Sequence, residues 1–258
     1  MLLPDSQRAA LGPFMARIPR RVGYAREPLR RALLTEALAP PRHHGRRLPI
    51  PMTERYLRIT RHLGCPDRGD GLDLAVAPRD AQRLEERLRA AGVGAGEALL
   101  AVAPGAGFGP SKCWPPEHFA AACDGIARRL GLLPVLAPAP GEAAIAARVA
   151  ELARERRVAL IDPCPSLEEA KALIARSHLV LSNDTGARQI AVALDRPVIV
   201  AMGPTDPRHT AQHLERQRVL REEVACSPCH LQRCPIDHRC MTQLAPARAV
   251  AAAEALLA

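Results

Sequence analysis

The stretch Leu179-Val180-Leu181-Ser182-Asn183-Asp184-Thr185-Gly186-Ala187-Arg188-Gln189-Ile190-Ala191-Val192-Ala193-Leu194 joins a short apolar run to a longer run of helix formers. The first part suits a buried strand and the second an α-helix. An acid, a hydroxyl and a glycine stand at the handover, the carboxyl end of a parallel strand, where open α/β sheets bind ligands. Gly186 lets a ligand approach the backbone, and the N–H groups of a helix start favour an anion. The competing reading makes Asp184 or Thr185 the helix N-cap.

The same alternation extends on both sides of this corner. Upstream, strands are expected at 99–103, 133–136 and 158–161, with helices over 116–130, 141–154 and 166–176; Ser166 and Glu169 form a capping box. Downstream, Val198-Ile199-Val200-Ala201 is a strand and Pro246 to Leu257 a helix. Strands alternating with helices imply a parallel sheet, and this part of the chain suffices for one Rossmann-like domain. Residues 1–90 hold too few strands to close a sheet. Helices are expected over 6–17, 51–64 and 78–92, a short strand over 21–24, and an extended, loop-like stretch over 26–50. The division is therefore a partial N-terminal domain, 1–90, and a C-terminal domain, 91–258.

The formal net charge is +9, and all of it lies early: residues 1–64 carry 13 arginines against 4 acids (13 − 4 = +9). A basic half beside a neutral remainder points to an anionic partner, set against the plainer alternative of a solvated arginine-rich face. Aromatics make up only 2% of the chain, so Leu, Val, Ile and Ala must fill the core. No apolar run is long and clean enough to span a bilayer, and the N-terminus lacks the layout of a signal peptide. The chain reads as cytoplasmic, where eight cysteines are thiols or metal ligands rather than a disulfide framework.

Three more strand ends carry polar or glycine-rich loops. Pro104-Gly105-Ala106-Gly107-Phe108-Gly109-Pro110-Ser111-Lys112 suits a phosphate, with backbone N–H groups and Lys112 supplying the positive potential. It is neither a Walker A loop nor a dinucleotide fingerprint. Glu142, after Gly141, is placed to accept from ribose hydroxyls or, more plainly, to complement a helix dipole. Gly203-Pro204-Thr205-Asp206-Pro207 forms a rigid turn at the same rim. Cys226, Cys229, Cys234 and Cys240 crowd one short loop. Four soft ligands there suit a structural zinc or an iron–sulfur cluster; the competing reading is a set of reduced thiols that packs the loop.

Taken in order, these motifs resemble the glycosyltransferase 9 family of ADP-heptose:lipopolysaccharide heptosyltransferases, most closely its heptosyltransferase II branch. The matching stretches include Arg20-Arg21-Val22-Gly23-Tyr24, Pro51-Met52-Thr53, Pro104-Gly105-Ala106, Ser111-Lys112-Cys113-Trp114-Pro115, Glu117-His118-Phe119 and Gly141-Glu142. They continue through Ser182-Asn183-Asp184-Thr185-Gly186, Gly203 to Pro207 and Cys226-Ser227-Pro228-Cys229 to Cys240-Met241. The resemblance implies an α/β fold of GT-B type, two Rossmann-like domains with parallel sheets, the N-terminal one incomplete here. It implies inverting, metal-independent transfer of heptose from ADP-heptose to the anionic lipid A–core acceptor, in peripheral contact with the inner membrane. Ser111, Lys112, Glu142, Asp184, Thr185, Gly186 and Gln189 would then line the donor site.

The chain departs from the family's pattern in two ways. Gln189 and Ala187 stand where the family usually has His and Pro, and Gln cannot carry an imidazolium charge. The family's N-terminal Gly-Asp motif, whose Asp is regarded as the general base, has no counterpart in the sequence, so no catalytic residue is assigned. Two other functions remain open at this stage: a non-catalytic nucleotide-sugar-binding remnant, and a basic nucleic-acid-binding metalloprotein. The second is disfavoured because Phe14, Tyr24 and Tyr56 are too few to stack bases.

Overall fold

The structure is a computed structural model that describes residues 1–258. It forms two compact units, one made of Met1–Gly71 with Pro207–Gln212, the other of Leu72–Asp206 with His213–Ala258.

In the first unit α1 (Gln7–Met15) is capped by Ser6, whose hydroxyl accepts from Ala9 N. It is followed by β1 (Val22–Tyr24), α2 (Pro28–Leu33), β2 (Glu36–Leu38), the hairpin β3 (Arg42–His43) and β4 (Arg46–Arg47), and α3 (Met52–His62). β1 pairs parallel with β2, and Leu2 bridges Gly23 on β1. The apolar core is small, built on Val22, Tyr24 and Ile59, so polar staples carry much of the order. Arg30 is fully buried and donates to the carbonyls of Tyr24 (2.8 Å) and Ser6 (2.5 Å). Asp5 pairs with Arg55 at 2.6 Å, and the Arg55 guanidinium lies over the Tyr24 ring. The expected loop over 26–50 thus contains a helix, a strand and a hairpin. Their short segments lack periodicity, and β2 exists only because a distant strand pairs with it.

The second unit holds α4 (Pro78–Ala90), β5 (Leu99–Ala103), α5 (Pro116–Leu130), β6 (Leu133–Leu136), α6 (Ala143–Leu152), β7 (Val158–Ala159), α7 (Leu167–Arg176), β8 (Leu179–Asn183), α8 (Gly186–Ala193), β9 (Val198–Ala201), β10 (Gln217–Leu220), α9 (Arg239–Thr242) and α10 (Pro246–Leu257). Its six strands form one parallel sheet in the order β10-β9-β8-β5-β6-β7. Apart from the edge strand β10, the strands are largely apolar on both faces, as a sheet covered on both sides requires. Leu100, Val102, Leu179, Leu181 and Ile199 point into one core with α5, α6 and α10. Leu99, Ala101, Val180, Val198 and Val200 alternate into the other, with α4, α7 and α8.

Local signals start and stop the helices. α5 begins at a proline and ends on Gly131 in the left-handed conformation. α7 carries the expected capping box of Ser166 and Glu169. The unit boundary lies at residues 71–72, whereas the sequence reading set it at 90. The reason is α4: Leu84 and Leu88 are 1% exposed in the second unit's core, so this helix belongs with the sheet. β10 was also absent from the sequence reading, because Gln217-Arg218-Val219-Leu220 carries no strand pattern without β9 beside it. No helix is long and apolar enough to cross a membrane.

Where α5 meets α10 the backbone approach is close: a Cβ on Gly125 would lie 2.5 Å from Cγ2 of Val250. Gly→Ala inside a helix ordinarily stabilises by about 1 kcal/mol, while overpacking costs about 1–3 kcal/mol. G125A is therefore expected to lower unfolding free energy in a urea titration. A more stable variant would show that Val250 yields freely.

Candidate functional site

The chain runs from β5 outward to β6 and β7, then returns to β8 on the other side of β5. That reversal opens a crevice beyond the carboxyl ends of β5 and β8, the usual ligand position in open α/β sheets. A cavity of about 330 Å³ occupies it. Its walls are largely apolar, with Ala101, Ala137, Pro138, Leu173 and Ile190 among them; Glu142, Thr185 and Gly186 bring polar groups to its edge. An apolar cavity with few polar groups at its edge suits an apolar ring system such as a heterocycle.

Asn183 shapes the rim. It is fully buried at the end of β8; its Oδ1 accepts from Trp114 N (3.0 Å), and its Nδ2 donates to the carbonyls of Pro104 (2.7 Å) and Gly105 (3.1 Å). The loop after β5 is thereby tied to β8. Trp114, also fully buried, donates its indole N–H to Leu244 O. At the loop's tip Gly109 has φ +149°, and a Cβ there would meet Gln232 O at 2.6 Å, so no other residue fits.

Lys112 and Asp184 face each other across this rim. Lys112 Nζ donates to Asp184 Oδ2 (2.9 Å) and to the Asp184 carbonyl (3.0 Å). Thr205 Oγ1 donates to the same Oδ2 (2.8 Å), and an Arg188 guanidinium nitrogen to Oδ1 (3.1 Å). Burial works to raise the Asp184 pKa, but Lys112, Thr205 and Arg188 outweigh it and hold the carboxyl below its ordinary value. Thr185 is the N-cap residue of α8, one of the two residues expected there, but its side chain makes no cap hydrogen bond; the Asp184 side chain serves the ion cluster instead.

Glu142 sits on the opposite wall. Its carboxylate accepts from Ala139 N at 3.2 Å and fills the space over Gly105, where a Cβ would come within 2.0 Å of it. Burial pushes its pKa up. Ser111 is 3% exposed and faces away from the cavity: its Oγ donates to Leu231 O (2.5 Å), its N–H to Gln232 O, and its carbonyl bonds His238 Nε2. Gln189 is exposed and does not line the cavity. Of the expected site residues, Lys112, Glu142, Asp184, Thr185 and Gly186 therefore gather at one rim, and Ser111 and Gln189 do not. Arg188, Asn183 and Thr205 were missed as individuals. The spacing of four between Asp184, just before α8, and Arg188 in its first turn was the available signal for Arg188.

The metal reading of Cys226, Cys229, Cys234 and Cys240 is not supported. No group of three or more His, Cys, Asp or Glu side chains is arranged to hold a metal ion. Cys226 and Cys229 are exposed, whereas Cys240 is buried with its sulfur packed against Gly203. Burial, reinforced by the neighbouring thiols, pushes the Cys240 pKa up to about 11, so it stays a neutral thiol in the core.

The two carboxylates predict opposite pH responses. Glu142, its pKa raised, favours the fold when protonated; that contribution is complete below the unfolded value and is lost as pH rises through the folded one. Asp184, its pKa lowered, contributes above the unfolded value and loses this as pH falls through the folded one. In thermal melts E142Q should be more stable than the parent at pH 7, the gain vanishing near about pH 4. D184N should be less stable at pH 7, with the deficit shrinking on acidification. Equal shifts at both pH values would refute this electrostatic account.

Comparison with known proteins identifies the family and the fold. The family model of glycosyltransferase family 9 (heptosyltransferase) matches residues 1–239. Lipooligosaccharide heptosyltransferase 2 of Haemophilus influenzae is 29% identical over 230 residues, 86% of this chain and 64% of that protein. Lipopolysaccharide heptosyltransferase 2 of Salmonella typhimurium is 29% identical over 226 residues, 85% of this chain and 64% of that protein. The chain thus spans just under two thirds of the length of these relatives. Among solved structures, Escherichia coli ADP-heptose LPS heptosyltransferase II aligns with a TM-score of 0.73 at 24% identity, covering 98% of this chain and 74% of that one. Escherichia coli heptosyltransferase WaaC with ADP aligns with a TM-score of 0.60 at 26% identity, covering 90% and 63%. The expected α/β fold of GT-B type is that of these neighbours, and the chain belongs to glycosyltransferase family 9.

Proposed function

We propose that the chain binds ADP-heptose at the β5–β8 crevice and serves heptose transfer to the inner core of lipopolysaccharide. The observation that carries this reading is the apolar cavity with Glu142, Thr185 and Gly186 at its edge, next to the Lys112–Asp184 ion pair through the Asp184-Thr185 link. Adenine fits the cavity, Glu142 accepts from ribose hydroxyls, and Lys112 leaves Asp184 to meet the diphosphate. The Thr185-Gly186 backbone at the start of α8 adds N–H groups and a positive dipole end for the same phosphates. Asp184 then faces the sugar. The names of the relatives, heptosyltransferases of lipopolysaccharide and lipooligosaccharide, support the choice of sugar and acceptor.

In this reading the transfer inverts the anomeric centre and needs no metal: the developing charge on the leaving diphosphate is met by Lys112 and the helix start. The arginine-rich first unit faces an anionic lipid A–core acceptor, and the protein works as a peripheral enzyme at the cytoplasmic face of the inner membrane. The excess of 13 arginines over 4 acids in residues 1–64 is the support for that orientation. Ser111 acts indirectly by anchoring the Lys112 loop.

Isothermal titration of the whole chain with ADP and with ADP-heptose tests the donor assignment. Binding of both is expected, with K112A weakening ADP about 10- to 100-fold, the worth of one charge-assisted contact to phosphate. Failure of the intact chain to bind ADP would overturn the assignment.

A further inference from the structure

We propose that Arg188 is a positioning residue: it is the standing counter-ion of Asp184 and so releases Lys112 to an incoming diphosphate. This inference rests on the donor reading above and goes beyond it. Asp184 holds two cations of different freedom. Lys112 reaches it from a loop on a flexible four-carbon stem and is 15% exposed; Arg188 reaches it from the first turn of α8 and is 1% exposed. The Arg188 guanidinium is fixed at a second point, since its Nε donates to Gln217 Oε1 at 2.9 Å, and the Gln217 amide is itself held by the His213 carbonyl. One cation is therefore partly exposed on a long flexible side chain, and the other is buried and held at two points.

The consequence follows from what each state leaves behind. A diphosphate that captures Lys112 removes a cation from a carboxylate only 11% exposed. An uncompensated charge at such a depth is costly, and that cost would weaken binding. With Arg188 on Oδ1 and Thr205 on Oδ2, the carboxylate keeps a cation and a hydroxyl donor when Lys112 turns away. Arg188 thus lowers the cost of detaching Lys112 without touching the ligand. A neutral residue at this position would leave Lys112 as the cation that Asp184 must retain.

The test is titration of ADP into folded variants, with folding checked by thermal melting. R188M is expected to weaken ADP about tenfold, an energy typical of one lost partly buried charge contact. Adding D184N removes the carboxylate that traps Lys112, so D184N/R188M should return to within about threefold of the parent. A purely structural role for Arg188 predicts no such rescue. Should R188M fail to fold, D184N alone decides: it should bind ADP at least as tightly as the parent, and clearly weaker binding overturns the proposal. ADP affinity of R188M equal to the parent's overturns it as well, while leaving the donor assignment intact. Absence of ADP binding by the parent removes both.

Discussion

The pairing of β5 with β8, from Leu100 opposite Leu179 to Ala103 opposite Ser182, is the constraint on which the rest of the second unit depends. It places two strands far apart in sequence side by side, with the β6–β7 branch on one flank and β9–β10 on the other. Because both sheet faces are sealed by apolar side chains, the carboxyl edge is where backbone polar groups remain open to a ligand. Everything chemically distinctive gathers there: the loop bearing Lys112, the corner at Asp184, and Glu142 at the start of α6.

Asn183 turns that pairing into a rigid site. One amide accepts from Trp114 N and donates to two carbonyls of the loop after β5. The loop is pinned from its other side as well, where all three polar groups of Ser111 bond to the segment around Leu231, Gln232 and His238. The cysteine-bearing loop therefore contributes as a buttress. Its backbone hydrogen bonds to Ser111 hold the Lys112 loop in place.

The two units divide the physical work differently. The second rests on two extensive apolar cores; the first leans on buried or half-buried arginines such as Arg30 and Arg55 that bind carbonyls, Asp5 and an aromatic face. Such contacts are individually modest and depend on geometry, so the first unit's order is more sensitive to its arginines than a hydrophobic count would suggest.

Sequence by itself determined the α/β class, the order of strands and helices from residue 99 to residue 201, and the choice of Lys112, Glu142 and Asp184 as rim residues. Those features are local: an apolar run such as Leu179-Val180-Leu181, a capping box at Ser166 and Glu169, a proline or glycine at a helix end. Tertiary structure alone decided the rest. β10 and β2 exist through partners distant in the chain, and α4 joined the sheet because Leu84 and Leu88 found a core there. Ser111 and Gln189 were turned from the cavity, Arg188 was drawn into the Asp184 cluster, and Cys240 was buried while Cys226 and Cys229 stayed exposed. The reason is common to all of these: residue type and spacing specify which chemistry a side chain can perform, but only packing of distant segments sets the direction it points and the partner it meets.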